Sequence, residues 1–364
     1  MNIKIKELSV FLLLLCMMAG GICVASDGMD DEAGSLRTIT DNAGNIVENV
    51  PAVEDINRVI LISPPILGMY YTLGFDIDKV IGANPNAIKN AKMGIFYEMC
   101  PECSDITADF FTTGFDVNVE ELLNRNPDIA ICDFDGHGKA FREVKEFPVV
   151  TILEGKDTRD PFKTAEEMIS IMTTVFGNQE KGDRLIQYGE EALADVREKA
   201  AVIKEDDKLK AMVIHMTSDG KVDPRHKNFY SNFWLTESGL IDVASELEVN
   251  SQVDMEQVYE WNPDIMFIYF GPSSKDIIEN NVEGVDWSSV QAVKDKKVFT
   301  FPRGVASWYP FGGESPLLIK WIAKTAYPDV FDYDMEKEVS DYYKEFFDYE
   351  LSDDQVTRIL NPDN

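Results

Sequence analysis

Two cysteines separated by two residues form the most compact reactive pair of the sequence, Cys100 and Cys103 in Cys-Pro-Glu-Cys. Such a pair closes a small disulfide in an oxidising compartment, or supplies half of a metal site whose other half is missing. The motif alone does not decide between these alternatives. Cys132 lies in an apolar run, residues 129–132, that predicts a buried strand, so we interpret it as a packing residue.

The three histidines, His137, His215 and His226, lie in separate segments and share no metal-ligand spacing. Direct capture of a bare metal ion is therefore disfavoured. His137 and its neighbour Phe134 follow a predicted strand, and His215 follows another at residues 211–214. Loops at the carboxyl ends of strands are where open α/β sheets bind ligands. A solvated loop histidine is the alternative for His137.

Further candidates for ligand contact are mainly aromatic. Arg303 follows a predicted strand at residues 298–301 and precedes Trp308 and Tyr309. The arginine is suited to an anionic ligand and the rings to a planar one. A packed surface turn is the alternative for each residue of this loop. Beyond His215 the sequence adds the candidates Phe229, Tyr230 and Trp234.

Motifs for catalysis are missing from the sequence. It contains no nucleophile elbow, no His-Glu-x-x-His zinc motif and no glycine-rich phosphate loop, and the Cys100 pair has no thioredoxin-like context. These absences favour a binding protein. A secreted enzyme of unknown reaction is the alternative from another class, and a surface adhesion protein would require exposed apolar patches or tandem repeats.

A duplicated unit organises the elements that must position these residues. Residues 117–123 (VNVEELL) lead to Asn-Pro-Asp-Ile at 126–129, and residues 253–259 (VDMEQVY) lead to the same tetrapeptide at 262–265. Each copy predicts an N-capped short helix, a break at Asn-Pro and a strand, which in the second copy covers residues 265–270. Strand-like and helix-like patterns alternate elsewhere, as in an α/β fold. Two copies predict two similar lobes.

A helical stretch separates the two copies. Thr164 and Glu167 have the spacing of a capping box, and apolar residues then recur on one helical face. A second helix is predicted over residues 179–203, on the order of 37 Å long at ~1.5 Å per residue. A helix of this length predicts a stiff connection between the lobes, with little closure on binding.

Charge and the N-terminal segment indicate the compartment. Lys4 and Lys6 precede an apolar run and small residues, which predicts a signal peptide over residues 1–26. A lipid anchor on Cys23 is the alternative, although Ile22 stands where a small residue is expected.

The formal net charge is −31. Such a surface disfavours nucleic acids and anionic membranes as partners.

The order of these segments resembles the iron-siderophore and cobalamin class of ABC-transporter substrate-binding proteins. The resemblance covers residues 36–360 and rests on the two repeated units, on Trp287-Ser288-Ser289-Val290 and on Trp321-Ile322-Ala323-Lys324 before Tyr327-Pro328. It implies a class III substrate-binding fold, in which two similar α/β lobes are bridged by a long rigid helix and hold the ligand between them. The predicted segments are an N-terminal lobe at 36–160, a helical bridge at 163–204, a C-terminal lobe at 208–330 and one or more terminal helices at 334–360.

The resemblance also implies a role for Glu120 and Glu256, which occupy equivalent positions in the two repeats. In related proteins a glutamate of each lobe docks on arginines of the ABC permease, through charge-assisted bonds. A glutamate in the first turn of a helix also stabilises the helix dipole, which is the alternative.

The ligand that the resemblance implies is a metal chelate, with an iron-siderophore ahead of cobalamin, haem or a nickel chelate. The expected protein is extracytoplasmic, has no resident cofactor or metal, and contacts the membrane only through its transporter or a lipid anchor. The candidate ligand-binding residues are Arg303, Trp308, Tyr309, His215, Phe134, His137 and Tyr230.

Overall fold

Apolar strands and amphipathic helices alternate along the part of the chain that the computed structural model describes, residues 35–153, 159–218, 220–225, 228–248 and 252–363. The strands are β1 (Arg37–Thr40), β2 (Ile46–Val50), β3 (Val59–Leu61), β4 (Val80–Ala83), β5 (Ile129–Cys132), β6 (Val149–Thr151), β7 (Lys210–Ile214), β8 (Met216–Ser218), β9 (Lys221–Asp223), β10 (Ile241–Asp242), β11 (Ile265–Ile268) and β12 (Val298–Thr300). The predicted signal peptide, Cys23 and His226 lie outside the described residues.

The helices are α1 (Pro64–Thr72), α2 (Pro85–Ala91), α3 (Phe96–Met99), α4 (Val119–Asn124), α5 (Asp135–Arg142), α6 (Pro161–Phe176), α7 (Gln179–Ala200), α8 (Tyr230–Glu237), α9 (Met255–Trp261), α10 (Ser274–Ile278), α11 (Gln291–Lys294), α12 (Ser315–Ala326), α13 (Met335–Phe347) and α14 (Asp353–Leu360).

Two parallel sheets have the same strand order. The first is β4-β3-β5-β6 and the second is β10-β7-β11-β12. In each sheet the strand that follows the repeated helix, β5 or β11, lies beside the strand of that sheet that comes first in the chain, β3 or β7. The prediction of two similar α/β lobes is therefore confirmed.

The repeated helices start at capping side chains in both lobes. Asn118 Oδ1 accepts hydrogen bonds from the backbone N–H groups of Glu120 (3.1 Å) and Glu121 (3.3 Å). Asp254 Oδ1 accepts one from the N–H of Gln257 at 3.1 Å. These bonds satisfy N–H groups that the first helical turn leaves unpaired, which explains why both short helices begin where the sequence predicts.

The helical bridge is a hairpin of α6 and α7. Gly177 (φ 84°) and Asn178 (φ 62°) turn the chain between them in conformations that only glycine and a few polar residues adopt readily. At the start of α7, Asn178 Nδ2 donates to the carbonyl oxygen of Leu73 in the first lobe (2.7 Å). Near its end, Arg197 forms two hydrogen bonds with Glu237 of α8, in the second lobe. The 22 residues of α7 therefore connect the two lobes.

Three local predictions differ from the structure. The capping box at Thr164 is wrong: α6 begins at Pro161, because Asp160 Oδ1 accepts from the N–H groups of Phe162 and Lys163, and the Thr164 hydroxyl donates back to the Asp160 carbonyl. The long helix ends at Ala200 instead of residue 203. The second repeated strand ends at Ile268, which leaves Tyr269 and Phe270 in the following loop.

Helices at the C-terminal end hold both lobes. Glu98 of α3, in the first lobe, accepts two hydrogen bonds from the Arg358 guanidinium of α14 at 2.7 and 2.8 Å. One residue further on, the Ile359 carbonyl accepts from the N–H of Arg303, in the second lobe, at 3.0 Å. The C-terminal helix is therefore a second connection between the lobes.

Candidate functional site

Residues at the carboxyl ends of adjacent strands meet in the second lobe. His215 follows β7 and Tyr269 follows β11, and their ring centroids lie 4.9 Å apart. In the strand order of this sheet, this is the place where successive crossovers leave in opposite directions, and open α/β sheets bind ligands at such a point. Arg303 follows β12, the next strand of the sheet.

Arg225 joins this group from the loop after β9. Its Nη2 lies 2.6 Å from His215 Nδ1, and its Nη1 lies 3.4 Å from Asp223 Oδ2. Burial, and to a smaller extent the charge of Arg225, lower the pKa of His215 to about 3. His215 is therefore neutral at physiological pH, and its ring nitrogen accepts a hydrogen bond from the guanidinium.

Two buried guanidinium nitrogens have no hydrogen-bond partner among the described residues, Arg303 Nη1 and Arg225 Nε. Arg303 as a whole is 8% exposed, and burial lowers its pKa. Burying a cation without a full set of partners is costly. The charges of both arginines act on Tyr269, and two incompletely paired cations in a chain of net charge −31 would suit an anionic partner.

Aromatic rings form a connected group beside the arginines. The centroids of Tyr269 and Tyr309 lie 4.6 Å apart, and those of Tyr230 and Tyr309 lie 4.9 Å apart. The Arg225 guanidinium carbon lies 4.8 Å from the centroid of Phe229. Burial raises the pKa of Tyr269 to about 12, so its hydroxyl remains a hydrogen-bond donor at any physiological pH. The cluster thus combines cations, hydroxyl groups and apolar walls, which suits an anion with apolar surface.

A buried carboxyl group, that of Glu314, holds the loop after Arg303 in place. Glu314 accepts hydrogen bonds from the backbone N–H of Ala306 (2.9 Å), the indole N–H of Trp308 (3.0 Å) and the hydroxyl of Tyr343. Burial raises its pKa to about 7. Trp308 is 0% exposed, so its ring offers no surface to a ligand in this conformation, and it supports the loop instead.

The same loop reaches the first lobe. The carbonyl oxygen of Gly304 accepts a hydrogen bond from the N–H of Ile95 at 3.1 Å. A side chain at Gly94 would lie 2.0 Å from that oxygen, and one at Gly68 would lie 2.9 Å from the Ala306 side chain. Glycine at these two positions permits the close approach, and Arg303 is therefore fixed relative to both lobes.

On the first lobe the equivalent strand ends carry a polar group. The Ser63 hydroxyl, after β3, donates to Asp133 Oδ1, after β5, and His137 Nδ1 lies 2.6 Å from the same oxygen. The ring of His137 stacks on Phe115 at 3.7 Å, and Phe134 meets its edge at 5.6 Å. Asp133 thus orients the His137 ring through Nδ1. The second ring nitrogen, Nε2, is left for another partner.

The structure brings four of the predicted ligand residues into one cluster, Arg303, Tyr309, His215 and Tyr230. Phe134 and His137 contact each other in the first lobe. In the described parts of the chain, no group of three or more His, Cys, Asp or Glu side chains is arranged to hold a metal ion. Glu120 and Glu256 are exposed in the first turns of α4 and α9.

Sequence reasoning missed Arg225, Tyr269 and Glu314. Arg225 follows a short β-hairpin that carries no ligand motif, and Tyr269 lies in a segment predicted as strand. Glu314 stands beside a glycine pair in a loop, where a carboxylate is ordinarily solvated. The available signal was position: Tyr269 occupies in the second repeat the place that Asp133 occupies in the first.

The structure shows which cysteines are bonded and which is free in the described part of the chain. Cys100 and Cys103 form a disulfide with a Cα–Cα distance of 5.5 Å, and both are buried. Cys132 is free and buried in β5, and burial raises the pKa of its thiol to about 11. The thiol is therefore unreactive, in agreement with a packing role.

Comparisons with known proteins agree with this architecture. A family model described as periplasmic binding protein matches residues 111–304. The molybdate-binding protein MolA of Haemophilus influenzae is 24% identical and aligns with 88% of this chain and 94% of its own length. The Fe(3+)-citrate-binding protein YfmC of Bacillus subtilis is 22% identical and aligns with 85% and 92%, respectively.

Solved structures show the same fold. A periplasmic solute binding protein from Veillonella parvula superposes with a TM-score of 0.78 at 26% identity, covering 90% of this chain and 97% of its own. MolA of Haemophilus influenzae bound to molybdate gives a TM-score of 0.71 at 23% identity, with 87% and 99% coverage. Among the described residues, no helix is long and apolar enough to cross a membrane.

Proposed function

Since this chain belongs to the periplasmic binding protein family, whose members bind solutes outside the cytoplasm for ABC importers, we propose that its solute is an anionic metal compound. One observation carries the proposal: the buried nitrogens of Arg303 and Arg225 have no partner in the described residues. An anion bound between the two guanidiniums would satisfy both. The family and the fold are those of binding proteins, not of enzymes.

Two classes of anion fit these arginines. A ferric chelate with carboxylate groups, including an anionic iron-siderophore, is the first, because neutral His215 and the tyrosine hydroxyls add further polar contacts beside an apolar wall. A metal oxyanion is the second, because two arginines and hydroxyl donors match tetrahedral oxygen atoms. The names of the two relatives, for molybdate and for ferric citrate, support an anion in either class.

We assign direct ligand contact to Arg303, Arg225, His215, Tyr230 and Tyr269. Tyr309 is 0% exposed, like Trp308, and supports the rings of Tyr230 and Tyr269. Trp308 acts through the loop, since its indole bonds to Glu314 and its ring is buried. In the first lobe, His137 and Phe134 are proposed to meet the ligand from the opposite side, with Asp133 holding the imidazole in place.

Binding is tested by titrating the purified chain with ferric citrate, a ferric siderophore, molybdate and cyanocobalamin, monitored by tryptophan fluorescence. Trp234 donates to the Tyr309 carbonyl at 2.9 Å and Trp308 to Glu314, so two tryptophans adjoin the cluster and report on it. At least one anion should bind. Cyanocobalamin carries no net charge, and tight binding of it with no binding of the anions would contradict the proposal.

The arginines are tested on the anion that binds. Arg303→Gln and Arg225→Gln should each weaken affinity about 10- to 100-fold, since a hydrogen bond to a charged group contributes about 1.5–3 kcal/mol. Arg184→Gln is the matched control, because Arg184 lies on the surface of the helical bridge and pairs with Glu345. Equal affinity in all three variants would remove the arginines from the site.

Docking on the ABC permease is proposed for Glu120 and Glu256. Both are exposed, and they hold equivalent positions in the two lobes. Two carboxylates on separate lobes would fix the orientation of the protein on two permease arginines. The helix dipole explains a glutamate at either position alone, but it does not require one in both copies.

A further inference from the structure

The helices α4 and α9 expose the same arrangement of side chains in each lobe. Leu122 and the equivalent Val258 are 0% exposed, whereas the next residues, Leu123 and Tyr259, are 36% and 37% exposed. Glu120 and Glu256 precede these two residues by three positions and are also exposed. Residues three apart are neighbours on a helix surface, so each helix presents a carboxylate beside an apolar side chain.

This recurrence is unlike ordinary surface exposure. Single exposed apolar residues need no explanation in a soluble protein. Here, however, nine large apolar side chains are exposed among the described residues, and three of them, Val119, Leu123 and Tyr259, lie on these two short helices. The two lobes share the repeat but differ in sequence, so an apolar residue exposed at the same place in both indicates a common surface that contacts one partner.

The chemistry around α4 defines the charge of that partner. A groove of about 440 Å³ beside the helix is lined by apolar and acidic side chains. Val117, Val119 and Val144 are among the apolar ones, Asp116, Glu143 and Glu146 are the acidic ones, and Glu120 and Leu123 lie outside this lining. An arginine or lysine suits such a groove, because its methylene stem covers apolar surface while its cationic head meets carboxylates.

We infer that each lobe contacts the ABC permease through a glutamate together with the apolar residue three positions later, Glu120 with Leu123 and Glu256 with Tyr259. The inference rests on the proposed docking role of the two glutamates and adds the apolar half of the contact. The occupant is a permease surface that carries a basic side chain next to an apolar one, once for each lobe. The apolar contact excludes water from the ion pair, which strengthens it.

The test measures association of the full chain with its cognate importer reconstituted in lipid vesicles, by co-sedimentation. Leu123→Ser with Tyr259→Ser should weaken association about 10-fold. This is the loss expected when an interface residue of moderate importance is truncated. The matched control is Val202→Ser with Ile241→Ser, which removes two exposed apolar residues elsewhere (70% and 38% exposed) and should leave association unchanged. Circular dichroism melting of each variant excludes a loss of folding.

A variant at each glutamate separates this inference from the docking role itself. If Glu120→Ala with Glu256→Ala weakens association but Leu123→Ser with Tyr259→Ser behaves like the control, the apolar contact is overturned and the glutamates remain. If both double variants behave like the control, the docking role fails as well. Tyr259→Phe keeps the ring and removes the hydroxyl that donates to the Asp286 carbonyl, so it should associate normally. Tyr259→Ser alone is the comparison for this variant, and an equal loss in Tyr259→Phe would assign the effect to the hydroxyl and overturn the inference.

Discussion

Glu314 shows how one buried carboxyl group supports the loop after Arg303 from outside the cluster of arginines and tyrosines. Its oxygens accept from Ala306, Trp308 and Tyr343, two of them in the loop that carries Arg303. Burial raises its pKa from 4.5 to about 7, against the opposing effect of these hydrogen bonds. The folded state therefore binds a proton more tightly than the unfolded state does.

The pH dependence of stability follows from this shift. Below pH 4.5 the carboxyl is protonated in both states, and the stabilisation is fully present; as pH rises through about 7 it is lost. Glu314→Gln remains neutral, and its one amide oxygen can accept from Trp308 and Tyr343, which both donate to the same oxygen of Glu314. Between pH 4.5 and 7.5, the free energy of unfolding should fall by about 3 kcal/mol more in the native chain than in the variant. Parallel curves from urea titrations at several pH values would show that Glu314 ionises normally.

The helices of the bridge depend on close packing at a glycine. Gly182 of α7 faces α6, and a Cβ there would lie 2.7 Å from the Thr173 Cγ2 and 2.9 Å from the Ile169 Cγ2. Both side chains are buried, so neither has room to retreat. The small residue thus allows the two helices of the hairpin to approach each other.

Gly182→Ala should therefore destabilise the protein by about 1 kcal/mol or more, although alanine favours a helix. Gly136→Ala is the matched control, because Gly136 also lies in a helix but has nothing within 4 Å of an added Cβ. It should raise stability by about 0.4–1 kcal/mol. Chemical denaturation compares the two, and a stabilised Gly182→Ala would mean that α6 and α7 pack less closely.

The molecule as a whole has two stiff connections between its lobes. One is α7, and the other is α14, which bonds to Glu98 in the first lobe and carries the Ile359 carbonyl that accepts from Arg303. A single buried apolar cluster also includes residues of both sheets, among them Leu61, Ile131, Val213 and Phe267. Opening the lobes widely would expose part of this core to water.

Closure on binding should accordingly be small. Small-angle scattering with and without the bound anion should give radii of gyration that agree within about 1 Å, since rigid helices resist the hinge movement that extended strands permit. Glu98→Gln removes the charge that pairs with Arg358 and so weakens the connection through α14. The same scattering measurement on this variant is the comparison for the native chain. A large compaction of the native chain with ligand would contradict the rigid bridge.

The proposed docking likewise involves the whole molecule, because Glu120 and Glu256 lie on different lobes. Glu120→Ala with Glu256→Ala should leave anion affinity unchanged and reduce uptake through the importer, and reversal to arginine should reduce it more, by opposing the permease arginines. If the glutamates act only on the helix dipole, uptake will follow protein abundance, and stability will fall by about 0.3–1 kcal/mol per site. Uptake of the radiolabelled anion, corrected for the amount of folded protein, distinguishes these results.

Periodicity and local chemistry were sufficient to predict much of the framework from the sequence. The duplicated unit around Glu120 and Glu256 predicted two similar lobes, and it is local: a capping side chain, a helix of two turns and an apolar strand each depend on residues close in sequence. The rule that ligands bind at the carboxyl ends of strands placed His215 and Arg303 among the candidates before any contact was known.

Only the tertiary structure showed which candidates meet and which are buried. Trp308 and Tyr309 are adjacent in sequence, but Trp308 points to Glu314 whereas Tyr309 packs on Tyr230 and Tyr269. Arg225 entered the site because β8 and β9 fold back toward His215. These outcomes depend on contacts between distant segments and on burial, which raises the pKa of Glu314 and lowers that of His215. Desolvation is a property of the assembled molecule, so residue types and spacing do not contain it.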